Sequence, residues 1–183
     1  MTAPIQKPAA GAPLAAVVMG VAGSGKSVVG MALAEALHCK IVEGDQLHPP
    51  ENVERMASGL PLNDEYREGW LEAVGRAIAS HAARGEGVVA ACSALKRGYR
   101  DRLRAHWPGL VFIYLMIDKN RARERVATRR GHFMPASLID SQFADLEPPT
   151  DEEGAIFLDA TRPVEELVAA AAAKLAAKAA VEG

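Results

Sequence analysis

The sequence contains only two cysteines, Cys39 and Cys92, among 183 residues, and they form no CxxC pair. That excludes a disulfide framework, and the five histidines show no spacing that would complete a zinc site. A reducing, cytoplasmic setting is the expectation. Charge of one sign is also missing: 21 Lys and Arg stand against 23 Asp and Glu, a net charge of −2. So weak a field gives no global case for nucleic acid or an anionic membrane, and any basic site must be local. No run approaches the roughly 18 consecutive apolar residues of a membrane span. The Ala-rich VAAAAAKLAAKAAV near the C-terminus is interrupted by Lys174 and Lys178, and alanine's propensity makes it an ordinary terminal helix. Residues 1–13, MTAPIQKPAAGAP, lack the apolar core of a signal peptide and read as a flexible tail. No internal repeat and no Gly-, Ser- or Pro-rich linker divides the remainder, so residues 14–183 are expected to form one domain.

What is present is a rhythm. Short apolar runs recur at residues 14–19, 40–45, 87–93, 110–117 and 155–159, with helical patterns between them. Val29, Leu33, Ala36 and Leu37 share one helical face, as do Trp70, Val74, Ala77, Ile78 and His81. Strands apolar throughout, alternating with helices, predict a parallel sheet covered on both faces. Two segments break the pattern: residues 46–70 after the second strand, and RRGHFMP after an arginine-rich helix. Both follow strands at the carboxyl edge, where open parallel sheets bind ligands.

MGVAGSGKSVVG, residues 19–30, matches GxxxxGK(S/T) through Gly20, Gly25, Lys26 and Ser27. The chain from Gly20 through Val21, Ala22, Gly23, Ser24 and Gly25 can turn its N–H groups inward around a phosphate. Lys26 then reaches the β and γ phosphates, Ser27 can ligate magnesium, and the following helix aims its positive end at the anion. The NKxD element of guanine-specific switches is absent, DKNR at 118–121 being the nearest string. The motif alone leaves open an ATP-using transferase, an ATPase and a nucleotide-sensing module.

Three longer segments narrow this: GDQLHPPENVERMASGLPLNDEYREGWL (44–71), CSALKRGYRDRLR (92–104) and RRGHFMPASLIDSQFADLE (129–147). Together they resemble the gluconokinases, small P-loop kinases that transfer the γ-phosphoryl of ATP to the 6-hydroxyl of D-gluconate, over about residues 14–170. The resemblance implies an α/β/α sandwich on a five-stranded parallel sheet of order 2-3-1-4-5, an insertion at about 46–70 and a lid at about 125–135. It further implies ATP and Mg2+ as cofactors, gluconate as the small-molecule partner, a homodimer, and no role for nucleic acid or membrane. A same-fold kinase for another small polyol acid and a noncatalytic nucleotide-binding module stand as the alternatives.

The residues have chemical sense of their own. A sugar-acid kinase needs a carboxylate for the attacking hydroxyl, donors for the other hydroxyls, a cation for the acid group and positive charge at the phosphoryl in flight. Asp45 is placed to face the phosphate loop from the end of the second strand. Glu43, two residues earlier on the same face, stands where the family has Asp and can hold magnesium through water. His48 and Asn52 can hydrogen-bond polyol hydroxyls, and HPP keeps the chain extended there. Arg55 stands where the family has Lys, Asp64 and Arg67 match its acidic and basic positions, and Tyr66 and Gly69 replace Asp and Pro. Ser93 ends the third strand, and Lys96 or Arg100 is favoured for the gluconate carboxylate. Cys92 reads as a small buried residue. Arg121, Arg125 and Arg129 form a stripe at i, i+4 and i+8 whose like charges call for an anion. Arg125 and Arg129 match the family's lid arginines, His132 falls in the lid, and Gln142 is a further substrate ligand. Asp159 to Pro163 resembles the loop that covers adenine in related kinases.

Overall fold

In the computed structural model of the chain, residues 11–129 and 135–182 are described. The strands are β1 (Ala15–Met19), β2 (Lys40–Glu43), β3 (Val88–Ala91), β4 (Val111–Met116) and β5 (Ile156–Asp159). The helices are α1 (Lys26–Ala36), α2 (Pro50–Ala57), α3 (Asp64–Ala83), α4 (Arg97–His106), α5 (Lys119–Thr128), α6 (Ile139–Asp145) and α7 (Val164–Glu182). All five strands pair in parallel in the order β2-β3-β1-β4-β5, the order that the family resemblance implies.

The period-2 geometry of β1 sorts its side chains between two layers. Ala15, Val17 and Met19 join Trp70, Val74 and Ile78 of α3 and Leu103 of α4 on one face. Ala16 and Val18 meet Val29 and Leu33 of α1 and Leu167, Ala171 and Leu175 of α7 on the other. Every residue of β1 and β3 is buried, which explains why their sequence shows no polar alternation. The Ala-rich α7 packs at four-residue intervals along that second face, and among the described residues no helix is long and apolar enough to cross a membrane.

Residues 46–70, expected to be irregular, are largely helical. Pro50 opens α2, where its missing N–H costs no helical bond. Asn63 caps α3 by accepting from the Tyr66 amide at 3.0 Å. The same helix continues for 20 residues, so the cover over the sheet edge and the crossover back to β3 are one rod. The strand before it is shorter than expected. β2 ends at Glu43, and Asp45 sits in a one-turn 3-10 helix, Gly44–Leu47, so Asp45 and Glu43 do not share a strand face.

Candidate active site

The phosphate loop joins β1 to α1 at the centre of the sheet's carboxyl edge. Gly23 has φ of +82°, and a Cβ there would lie 2.6 Å from the Ala122 carbonyl, so α5 packs against loop backbone that only glycine permits. The side chains of Val21 and Ala22 are buried beneath α5 and α6 with Leu95, Ala122, Val126 and Ile139. The loop is therefore held from behind while its front stays open. Gly25 caps α1 in a left-handed conformation and supplies no side-chain hydrogen bond, leaving the first N–H groups of the helix for a ligand.

The polar groups at this end are arranged but incompletely matched. Lys26 Nζ donates to the Val21 carbonyl at 3.0 Å, and Ser27 Oγ donates to Glu43 Oε2 at 2.8 Å. Glu43 Oε1 and Ser24 Oγ are the two buried side-chain oxygens without a partner among the described residues. Burial lowers the pKa of the Lys26 ammonium below its usual value, with the nearby Asp45 carboxylate the largest opposing influence. Gly20 N donates to the Ser93 carbonyl at 3.2 Å, joining the loop to the strand beside it. Ala22 N donates to Gln142 Oε1 at 2.7 Å, across 120 residues of sequence, which fixes the buried Gln142 of α6 directly on the loop.

In front of the loop lies a cleft. Gly23, Gly25, Lys26 and Ser27 form its phosphate end, with Ala22, Ser93, Arg129 and Gln142 at the rim. Asp45 and His48 enter from the chain after β2, and Met56, Leu62, Arg67 and Trp70 come from α2, α3 and the turn between them. Trp70 anchors this wall: its indole N–H donates to the Gly44 carbonyl at 2.7 Å, and His48 stacks on its ring at 4.1 Å. Burial pushes the His48 pKa down to about 4, Asp45 opposing and Arg67 reinforcing, so the imidazole is neutral near pH 7. A neutral imidazole can hydrogen-bond a hydroxyl without repelling the adjacent cations.

That shift makes His48 one contributor to the loss of stability in acid. Between the ordinary value of 6.5 and about 4, the unfolded chain takes up a proton that folded His48 refuses. The His48 contribution is complete above pH 6.5 and declines as pH falls toward 4. Compared with His48→Gln, the wild-type protein should lose stability across that interval in urea titrations; parallel profiles would remove His48 as the cause.

Several residues selected from sequence lie elsewhere. Arg100 is fully buried, with Nε and Nη2 on Glu153 at 2.7 and 2.8 Å and Nη1 on the carbonyls of Ala94, Leu95 and Glu147. Its charge is enclosed in the fold and cannot meet a substrate carboxylate. Glu153 is held down to about 2 by Arg100 and then by Arg104. Lys96 caps α4 and pairs with Asp64 at 2.8 Å, beside a shallow groove outside the cleft. Asn52 is buried, donating to the Tyr66 carbonyl at 2.8 Å, with His48 Nδ1 3.4 Å from the same amide nitrogen. It supports His48 from behind and does not line the cleft. Arg55 donates to the Pro61 carbonyl at 2.9 Å and lies over the Tyr66 ring at 4.6 Å. Two departures from the family pattern are thus neighbours, a cation on an aromatic face.

The arginine stripe is divided because α5 ends at Thr128. Arg121 pairs with Asp118, and Arg125 donates to the carbonyls of Gly23 and Ala160 at 3.3 and 2.9 Å, bracing the phosphate loop against the chain after β5. Arg129, just beyond the helix, alone of the three lines the cleft. His132 and the rest of 130–134 lie outside the described residues, as does most of the N-terminal tail. Cys92 is buried, and desolvation raises its thiol pKa to about 12, which suits a packing residue. Sequence reading missed Trp70 as a site residue and gave Arg67 no role. The available signal was a cation on the same helical face as Trp70, Val74 and Ile78.

A family model described as an AAA domain matches residues 16–149. The thermoresistant gluconokinase of Escherichia coli K12 is 44% identical over 154 residues, spanning 84% of this chain and 88% of that protein. The gluconokinase of Gluconobacter oxydans 621H is 45% identical over 140 residues, 76% of this chain and 79% of its own. A crystal structure of a gluconokinase from Sinorhizobium meliloti 1021 superposes with a TM-score of 0.82 at 48% identity, covering 92% of this chain and 94% of that one. With a phosphate loop of this geometry, this strand order and relatives of this identity and coverage, the chain belongs to the gluconokinase family of P-loop kinases.

Proposed function

We propose that the protein transfers the γ-phosphoryl group of ATP to the 6-hydroxyl of D-gluconate, giving 6-phospho-D-gluconate and ADP. The observation that carries this reading is one cleft holding a phosphate loop at one end and Asp45, neutral His48 and Arg67 beside it. The free N–H groups of the loop and of the α1 N-terminus hold the phosphates, and Lys26 sets its charge against the β and γ groups. Asp45 orients the 6-hydroxyl and accepts its proton as the new O–P bond forms and the bond to the β-phosphate oxygen breaks. Arg129 adds positive charge from the rim, while Arg125 keeps the loop in place. His48 hydrogen-bonds a hydroxyl of the acceptor, and Ser93 and Gln142 offer further polar contacts.

Ser27 and Glu43 fit a magnesium ion. Ser27 gives its proton to Glu43 Oε2 and keeps lone pairs for a metal, while Glu43 Oε1, buried without a partner among the described residues, suits a metal-bound water. Magnesium there would neutralise charge on the β and γ phosphates. We further infer a homodimer, as the family resemblance implies, and a cytoplasmic setting, as the cysteine usage suggests; light scattering on the purified protein would test the dimer.

ADP release measured over a panel of sugar acids, with ATP and GTP compared, tests the reaction. Gluconate with ATP should give the fastest turnover, with 6-phosphogluconate as product. Much faster use of shikimate or a free aldose would replace the acceptor, and ATP binding without acceptor-dependent ADP would indicate a noncatalytic module.

A further inference from the structure

We infer that Arg67 is the ligand of the acceptor's carboxylate and sets the preference for an aldonic acid over the corresponding alditol. This rests on the substrate class proposed above. Arg67 is only 5% exposed, yet it lines the cleft. Its guanidinium carries five N–H donors, of which Nε donates to the Leu62 carbonyl at 3.2 Å and Nη2 to Asp145 Oδ2 at 3.3 Å. Among the described residues nothing accepts from Nη1. A buried guanidinium with unused donors turned toward a cavity is a site for an anion, and the planar fork suits a carboxylate.

The surroundings restrict the choice. Among the described residues, the other cations on the cleft are Lys26, in the phosphate loop, and Arg129, at the end of α5. Arg67 instead stands on the wall of Met56, Leu62 and Trp70, with neutral His48 next to it. Lys96 and Arg100, the other candidates, have their charges answered outside the cleft. The anchor of Arg67 is itself shared: Lys96 lies 3.8 Å from Asp145 and 2.8 Å from Asp64, and the Tyr99 hydroxyl also donates to Asp64. Asp145 thus serves two cations, Arg67 at 3.3 Å and Lys96 at 3.8 Å, which leaves Arg67 less than fully neutralised. The arrangement positions the guanidinium without saturating it, so a ligand carboxylate gains a partner already oriented and desolvated.

The test compares D-gluconate with D-glucitol, which has a hydroxymethyl group in place of the carboxylate. ADP release is followed in the wild type, Arg67→Gln and Arg67→Lys. Arg67→Gln should lower kcat/KM for gluconate on the order of 100-fold, mainly through KM, and change that for glucitol by less than about threefold. Arg67→Lys, which keeps the charge and loses the fork, should lose roughly 10-fold on gluconate alone. Gluconate binding without ATP, followed by Trp70 fluorescence in a Trp107→Phe background, should weaken in parallel. Equal losses on both acceptors, or an unchanged value for gluconate, would overturn the assignment. Should Arg67→Gln not fold, the selective loss in Arg67→Lys decides the question. If the wild type used a different aldonate and not gluconate, the substrate reading would fail, while Arg67→Gln should still erase the acid-over-alditol preference. Use of no aldonate would overturn both.

Discussion

Asp45→Asn is expected to lower kcat for gluconate phosphorylation on the order of 100-fold or more, while ATP binding stays within about twofold of the wild type. The amide occupies the same space in the turn after β2 and can still hydrogen-bond the acceptor hydroxyl. It cannot take the proton, and it cannot orient the oxygen as a carboxylate does. Asp45 lies on the cleft and belongs to a one-turn helix whose Gly44 carbonyl is held by Trp70, so the substitution should leave the backbone where it is. Among the described residues no hydrogen bond joins Asp45 to the phosphate loop, which should keep its geometry. Steady-state rates and titration with a nonhydrolysable ATP analogue together read this result. A near-normal kcat would remove Asp45 from the chemistry.

Lys26→Met should have a different signature, with kcat/KM for ATP falling by about 1,000-fold and nucleotide affinity falling with it. The side chain folds back over the loop to the Val21 carbonyl, and burial already disfavours its charge. A phosphate brought to the loop supplies the counter-charge that the ammonium lacks, so loss of the lysine removes an interaction made in both the ground and transition states. The two variants should therefore separate: Asp45→Asn through kcat alone, Lys26→Met through kcat and ATP binding together. Unchanged ATP kinetics in Lys26→Met would contradict the role assigned to the loop.

The strands and the phosphate loop were legible because their signals are local. β1 and β3 are apolar on both faces, and the loop's glycines sit at fixed spacing. The order of the strands and the fold came from the resemblance, and the sheet has that order. Arginines were harder, because an arginine's role depends on its partner and the partner is distant in sequence. Arg100 looked available until Glu153, 53 residues later, enclosed it. Arg67 matches a basic position of the family, but nothing local says what that charge meets; its position beside Trp70 turns it inward to the cleft. The stripe of Arg121, Arg125 and Arg129 assumes that the helix continues, but it stops at Thr128: Arg121 pairs with Asp118, Arg125 braces the loop and Arg129 lines the cleft. Asn52 was read as a substrate ligand because an exposed amide and a buried one are identical in sequence; burial against the Tyr66 carbonyl makes it a prop.

The enclosure of Arg100 by Glu153 also constrains how this chain can evolve. The two side chains are 1% and 2% exposed, so loss of Glu153 leaves the Arg100 charge stranded in the interior at a cost of about 3–5 kcal/mol, while loss of Arg100 leaves Glu153 with Arg104, at 3.1 Å, as its remaining cation among the described residues. The first cost is a large part of the stability of a domain this size. An apolar pair of similar volume would also leave the carbonyls of Ala94, Leu95 and Glu147 and the Arg104 guanidinium without these partners, so it does not restore what the ion pair supplies. The two positions should therefore remain fixed, and a library randomising both at once should return the Arg–Glu pair among its folded members far more often than any apolar pair.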